Sequence, residues 1–182
     1  MKKIKIPFEL REMKKLKAGQ EVLLSGIIYT ARDQAHKRLV SSLGIGKGRG
    51  TGMGRELPID IKNAVIYYCG PTKTPKGKII GACGPTTSSR MDVFTPALLK
   101  AGLSAMIGKG NRSPEVRKAI RKFRGVYFLT FAGCGALLNK YVRKSRPFIY
   151  QDLGPEAIYK LEVKDFPLIV GIDSKGNSIF KT

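Results

Sequence analysis

Four hydroxyls stand side by side in this chain, with an arginine directly after them, in Gly81-Ala82-Cys83-Gly84-Pro85-Thr86-Thr87-Ser88-Ser89-Arg90-Met91-Asp92. The segment follows Lys78-Ile79-Ile80, a short apolar run that reads as a strand end, and a Gly-Pro pair breaks it. A turn of this kind can aim backbone N–H groups, several O–H donors and one guanidinium at a single point. A small carboxylate or phosphate needs that donor set. The same residues also suit a Ser/Thr-rich cap ahead of a helix, since hydroxyls favour such positions. Local chemistry leaves the two readings open.

Further motifs surround this one. Gly26-Ile27-Ile28-Tyr29-Thr30-Ala31-Arg32-Asp33-Gln34-Ala35-His36 reads as a strand running into a polar helix start. Tyr67-Tyr68-Cys69-Gly70-Pro71 is a strand that ends in Gly-Pro, and Ile107-Gly108-Lys109-Gly110 sets a lysine between two glycines. Asp165-Phe166-Pro167 and Asp173-Ser174-Lys175-Gly176-Asn177 come near the end. In this order, from Gly19 to Phe180, the set resembles the β subunit of the class I, iron–sulfur-dependent fumarate hydratase and L-tartrate dehydratase family. It is equally similar to the C-terminal domain of the single-chain members.

The resemblance implies a swivelling β/β/α layered domain with a mixed, partly closed sheet. It implies reversible loss of water from a 2-hydroxy dicarboxylate, malate to fumarate, with L-tartrate as the alternative substrate. A [4Fe–4S] cluster is then expected on an acidic partner α subunit, in an α2β2-type assembly, and no metal on this chain. Carried over residue by residue, Arg32 and Arg90 would clamp carboxylates and Lys109 would bind beside them. Thr86 would abstract the proton and Thr87 would donate a hydroxyl. Asp33 and His36 would support them from behind, His36 by orienting Arg32 or Asp33. Threonine is a poor base unless nearby cations lower the cost of its alkoxide, a task for Arg90 and Lys109.

Composition sets the bounds. The 182 residues suit one domain, and 42% hydrophobic residues can build a proper core. No apolar run reaches membrane-spanning length. The opening Met1-Lys2-Lys3-Ile4-Lys5-Ile6-Pro7 lacks the apolar stretch of a signal peptide. Cys69, Cys83 and Cys134 are odd in number and widely spaced, which suits a reducing cytoplasm better than a disulfide framework. No pair has the spacing of common zinc or iron–sulfur ligand sets, and His36 is the single histidine. Thirty-four Lys and Arg against thirteen Asp and Glu give a formal net charge of +21. A basic nucleic-acid-binding module is therefore the alternative from another class. Against it, the cations are spread over residues 2–17, 37–55, 109–124 and 140–146, tryptophan is absent, and no RNA-binding signature occurs. Such a field can also draw in dianionic substrates or dock an acidic partner.

The elements that must position these residues read as an alternation. An edge strand is expected at Lys3 to Ile6 and buried strands at Glu21 to Tyr29, Ala64 to Cys69 and Lys78 to Ala82. Others follow at Ser104 to Ile107 and Val126 to Phe131. A helix runs from Asp33, placed to cap it, to Leu43. Thr95-Pro96 caps and opens a short helix that Gly102 stops. Ser113-Pro114-Glu115 opens the best helix, with Val116, Ala119, Ile120 and Phe123 on one face, and Gly125 ends it. A short helix is expected over Gly135 to Val142, then strands in 157–172 and 177–181, split by Pro167. The glycine-rich stretch at 44–54 fits neither a dinucleotide fingerprint nor a P-loop and reads as a flexible loop.

Overall fold

A computed structural model of the chain describes residues 1–8, 10–44 and 59–180. The glycine-rich loop expected at 44–54 lies outside the described residues except for Gly44. In chain order the elements are β1 (Lys2–Lys5), α1 (Leu10–Lys14), β2 (Glu21–Thr30), α2 (Asp33–Ser42) and β3 (Val65–Tyr67). Then come α3 (Thr95–Lys100), β4 (Ala105–Gly108), α4 (Pro114–Phe123), β5 (Val126–Leu129), α5 (Gly135–Leu138), β6 (Val142–Ile149) and β7 (Ile158–Ile172). The sheet order is β1-β2-β3-β4-β5-β7-β6, and a further pairing of β2 with β7 closes it. The result is a five-stranded mixed barrel, β2-β3-β4-β5-β7, with β1 and β6 attached outside the ring. This is the α/β layered domain with a mixed, partly closed sheet that the sequence implies.

Both faces of the central strands are buried, which explains their continuous apolar runs. Val65 and Tyr67, Ala105 and Ile107, and Val126 and Phe128 point into the barrel, where Leu161, Val163 and Phe166 meet them. The alternate residues Ile66, Tyr68, Met106 and Tyr127 point out, against Leu98 and Leu99 of α3 and Val116 and Ile120 of α4. One strand thus contributes to two cores, and the period of two along β3, β4 and β5 decides which residue serves which.

Several expectations need correction. Lys78 to Ala82 is not a strand. Its backbone pairs locally instead: Thr72 N–H donates to the Ala82 carbonyl at 3.0 Å and Ala82 N–H to Thr72 Oγ1 at 2.9 Å. Pro71 and Pro75 offer no N–H with which to extend that pairing into a ladder. Asp33 does not cap α2: Arg32 is the N-cap, without a side-chain bond, and Asp33 is the first helical residue. Thr95 likewise stands inside α3, whose N-cap is Phe94. The left-handed residue ending α4 is Arg124 at φ 60°, not Gly125. Gly125 is small because a side chain there would press on Leu99. The helix expected over Gly135 to Val142 stops as α5, continues as one turn of 3-10 helix and gives way to β6, which reading by periodicity missed. Pro167 does not split the last strand: β7 runs through it, and its carbonyl accepts from Thr130 Oγ1 at 3.2 Å. Within 177–180 only a bridge between Ser178 and Ile172 forms.

Candidate active site

β2, β3, β4 and β5 run parallel, so their carboxyl ends open on one side of the barrel. In open α/β sheets that is the side where ligands bind. Every residue singled out from the sequence lies just past one of these ends: Arg32, Asp33 and His36 after β2, Thr86 to Arg90 on the long connection after β3, and Lys109 after β4.

The β3 connection is folded back onto the strand ends. Thr86 N–H donates to the Tyr68 carbonyl at 2.7 Å. Thr87 forms a parallel bridge with Lys109, and Ser88 N–H donates to the Lys109 carbonyl at 3.0 Å. Lys109 N–H returns a bond to Ser88 Oγ at 3.0 Å. Ser88 is fully buried; its hydroxyl reaches Tyr127 Oη at 2.9 Å, and that phenol donates to the Gly110 carbonyl at 2.8 Å. The approach requires glycine at 108, because a Cβ there would collide with Ser88 Oγ and come within 2.9 Å of the Tyr68 ring. Of the neighbouring hydroxyls, Ser88 is therefore spent on structure. Those of Thr86 and Thr87 take no hydrogen-bond partner among the described residues, and Lys109 Nζ makes no ion pair there.

The two arginines are held by two carboxylates. Arg90 Nε donates to Asp33 Oδ1 at 3.0 Å, with Nη2 3.0 Å from Oδ2. Asp33 thus holds the guanidinium by one hydrogen bond at Nε, with Nη2 in ion-pair range of an Oδ2 that takes no hydrogen bond, and Nη1 stays open among the described residues. Arg32 Nη2 lies 3.9 Å from Asp33 Oδ2 and 3.6 Å from Glu156 Oε1. Glu156 also accepts from Gln34 N–H at 2.9 Å, so it satisfies the first turn of α2 that Asp33 was expected to cap. A Cβ at Gly70 would meet both Arg32 Cδ and the Pro155 carbonyl at 2.8 Å. The loop before β7, the end of β3 and Arg32 therefore close on one another. Arg32 and Arg90 thus share two carboxylates, and Lys109 adds a positive charge that makes no ion pair among the described residues.

His36 is fully buried between the rings of Tyr68 and Phe94. Its Nδ1 donates to the Arg32 carbonyl at 2.9 Å, so it orients the backbone of Arg32 rather than its guanidinium. Burial lowers its pKa from the ordinary value to about 4, with the backbone bond pulling the other way. The imidazole is therefore neutral at pH 7, and Nε2 has no partner. Beneath the loop, Arg112 is buried with its guanidinium over the rings of Tyr68 and Tyr127. Its Nε donates to Asp92 Oδ1 at 2.6 Å and its Nη2 to Thr95 Oγ1 at 2.7 Å, while Asp92 Oδ2 accepts from Ser113 N–H at 2.7 Å. This pair fixes the end of the hydroxyl run to the start of α4.

The comparisons with known proteins agree with one another. The family described as Fumarase C-terminus matches residues 2–182.

The chain belongs to the Fumarase C-terminus family.

It is 38% identical over 174 residues to the aerobic class I fumarate hydratase of Escherichia coli K12, covering 94% of this chain and 30% of that one. The same identity over 178 residues relates it to the mitochondrial fumarate hydratase 1 of Leishmania major, covering 97% of this chain and 31% of that one. A Methanocaldococcus jannaschii chain provisionally named L(+)-tartrate dehydratase subunit beta is 38% identical over 177 residues, covering 94% of this chain and 87% of that one. The chain spans about 30% of the length of the first two relatives.

Within this Fumarase C-terminus chain, Glu156, Ser88, Tyr127, Arg112 and Asp92 are the site residues that reading by motif missed. Only Ser88 and Asp92 lie in the signal segment. The others reach the site through the β6–β7 turn, β5 and the β4–α4 connection. The three cysteines do not fit an iron–sulfur cluster. Cys69 and Cys83 are buried and burial raises both thiols, Cys83 to about 12, while Cys134 is exposed. Among the described residues no three His, Cys, Asp or Glu side chains group as metal ligands.

Proposed function

We propose that this chain is the dicarboxylate-binding and proton-abstracting part of a hydro-lyase, the β subunit of an enzyme that interconverts malate and fumarate. The observation that carries the reading is the set of donors left open at the strand ends. Thr86, Thr87, Lys109 and the outer edge of Arg90 are carried on segments that the Thr87–Lys109 bridge brings together, while the Ser88 hydroxyl is spent on structure. The planar edge of Arg90 matches one carboxylate, and Lys109 and Arg32 supply charge for the other. Thr86 Oγ1 takes the proton from the carbon beside the carboxylate as the alkoxide that this positive charge favours, and leaves the step as the neutral hydroxyl. Thr87 then donates to the oxygen on which negative charge grows.

The surface that carries these groups is open. Thr87 is exposed and the Arg90 side chain is half exposed, so a second wall has to exclude water. The reading assigns that wall, and the [4Fe–4S] cluster, to an acidic α partner; the steps above belong to this chain alone. L-tartrate is the second substrate reading, supported by the match that spans most of the Methanocaldococcus chain.

The test mixes the chain with its candidate partner and follows complex formation and fumarate hydration across a salt series. The expected outcome is no activity from either chain alone, activity on mixing, and association that slows as salt screens the opposed fields over about 8–10 Å. Parallel assays with L-tartrate separate the two substrates. A partner of basic balance, or assembly insensitive to salt yet abolished by DNA, would transfer the positive field to the nucleic-acid reading.

A further inference from the structure

A cleft of about 640 Å³ opens between α4 and the turn at 173–177 and meets the candidate active site at Arg112. Arg112, Arg117, Lys118, Arg121 and Lys175 line it together with Asn177, and among the described residues no carboxylate does. Among the described residues none of Arg117, Lys118, Arg121 and Lys175 forms an ion pair. The hollow is built rather than incidental. Arg117 is half-buried, its Nε donating to the Gly176 carbonyl at 3.1 Å, and Gly176 sits at φ 87° against the Arg121 side chain. Arg112 is 5% exposed, and its Nη1 is buried without a partner. The adjoining cleft shares Lys175 and Asn177 but is lined by Asp173 as well. That carboxylate is occupied by the N–H groups of Lys175 and Asn177.

Like charges gathered in one hollow repel one another and lower stability until an anion neutralises them. The volume falls in the range of small-ligand pockets, about 300–1,000 Å³, and exceeds what a lone phosphate fills. Arg117 and Arg121 favour phosphate oxygens, whose geometry a guanidinium fork matches, whereas the Arg112 fork is already engaged by Asp92 and Thr95. No aromatic residue lines the cleft, so there is no platform on which a base would stack. We propose that this cleft binds a small anion through a polyphosphate group of three or more negative charges, the rest of the ligand contributing little. The cleft shares Arg112 with the residues around the candidate active site but involves none of Arg32, Thr86, Thr87, Arg90 or Lys109, on which the dehydratase reading rests.

The experiment is calorimetric titration of the full chain, at fixed ionic strength, with ATP, inorganic triphosphate and citrate. ATP and triphosphate should bind with similar affinity, and citrate at least tenfold more weakly. The pair Arg117→Ala with Arg121→Ala should weaken triphosphate binding at least tenfold, as should Lys118→Ala with Lys175→Ala. Removing equal charge elsewhere, with Lys140→Ala and Arg143→Ala, should leave it unchanged. Circular dichroism confirms that each variant is folded, and two independent cleft pairs guard against loss of either. Equal loss in the control pair would reduce the effect to net charge and overturn the proposal. So would binding of ATP without triphosphate, or no binding at all. Tighter binding of a single-stranded RNA oligonucleotide, lost in both cleft pairs, would assign the face to nucleic acid instead.

Discussion

Two threonines whose hydroxyls take no partner among the described residues, beside a serine whose hydroxyl is fully engaged, give the residue scale its sharpest test. In the assembled enzyme, Thr86→Ala should lower kcat by about 10²–10⁴ with little change in KM, as loss of a proton-transfer group does. Arg90→Lys keeps the charge but loses the fork that contacts Asp33 and that the proposed function turns toward a substrate carboxylate, so KM should rise. Steady-state kinetics on both variants reads the split; near-normal constants for both would remove this loop from the chemistry. The types of residue at the site were legible in the sequence, because Thr86, Arg90 and Lys109 stand in turns dense with glycine and proline. What each does locally was not. That Ser88 is buried while Thr87 is exposed follows from the Lys109 bridge, and a bridge between distant segments leaves no trace in either one. Glu156 was invisible for the same reason: 122 residues separate it from the Gln34 N–H it accepts from.

At the scale of elements, the parallel ends of β3 and β4 have to come close enough for the hydroxyl run to lie across them, and Gly108 permits it. Gly108→Ala should destabilise the chain by about 1–3 kcal/mol, the usual cost of forcing atoms into a filled space. Gly84→Ala, where a Cβ would meet nothing closer than 3.5 Å, should stay within about 0.5 kcal/mol. Urea unfolding of the two variants measures the difference; equal stabilities would mean the collision is relieved by a shift of the loop. The strongly periodic elements were readable: α4 carries its Ser113 cap, with Oγ accepting from Val116 N–H at 3.3 Å, followed by Pro114. β6 was not, because a strand outside the ring carries Arg143, Lys144 and Arg146 exposed without the alternation that marks a buried face. Pro167 misled for a related reason. Proline forbids a donor, not a strand, and β7 needs only its carbonyl there.

For the molecule as a whole, the single histidine sets a pH dependence. The unfolded chain binds a proton on His36 near the ordinary value of about 6.5. The folded chain, where the ring is enclosed by Tyr68, Phe94 and the Arg32 carbonyl, resists it down to about 4. Between those values the unfolded state holds more protons, so stability falls as pH drops from about 6.5 and this contribution levels off below about 4. The full span is about 3 kcal/mol. Denaturation midpoints taken across that window should slope in the wild type and lie flatter in His36→Leu. An unchanged slope in the variant would assign the dependence to carboxylates. No helix of the described residues is long and apolar enough to cross a membrane.

The pairing of β2 with β7 carries a consequence for how the chain is made. Ile28 meets Leu161 and Glu21 meets Ile169, so the ring closes only between its earliest strand and its latest. A ribosome adding about 5–20 residues per second needs on the order of ten seconds to travel from one to the other. Throughout that interval β2 has an unpaired edge, lined with the apolar side chains that will later fill the barrel. Nascent chains of this protein therefore cannot mature piecewise from the amino end. They are hostage to their last strand, and the period before its release is when chaperones have the most surface to hold.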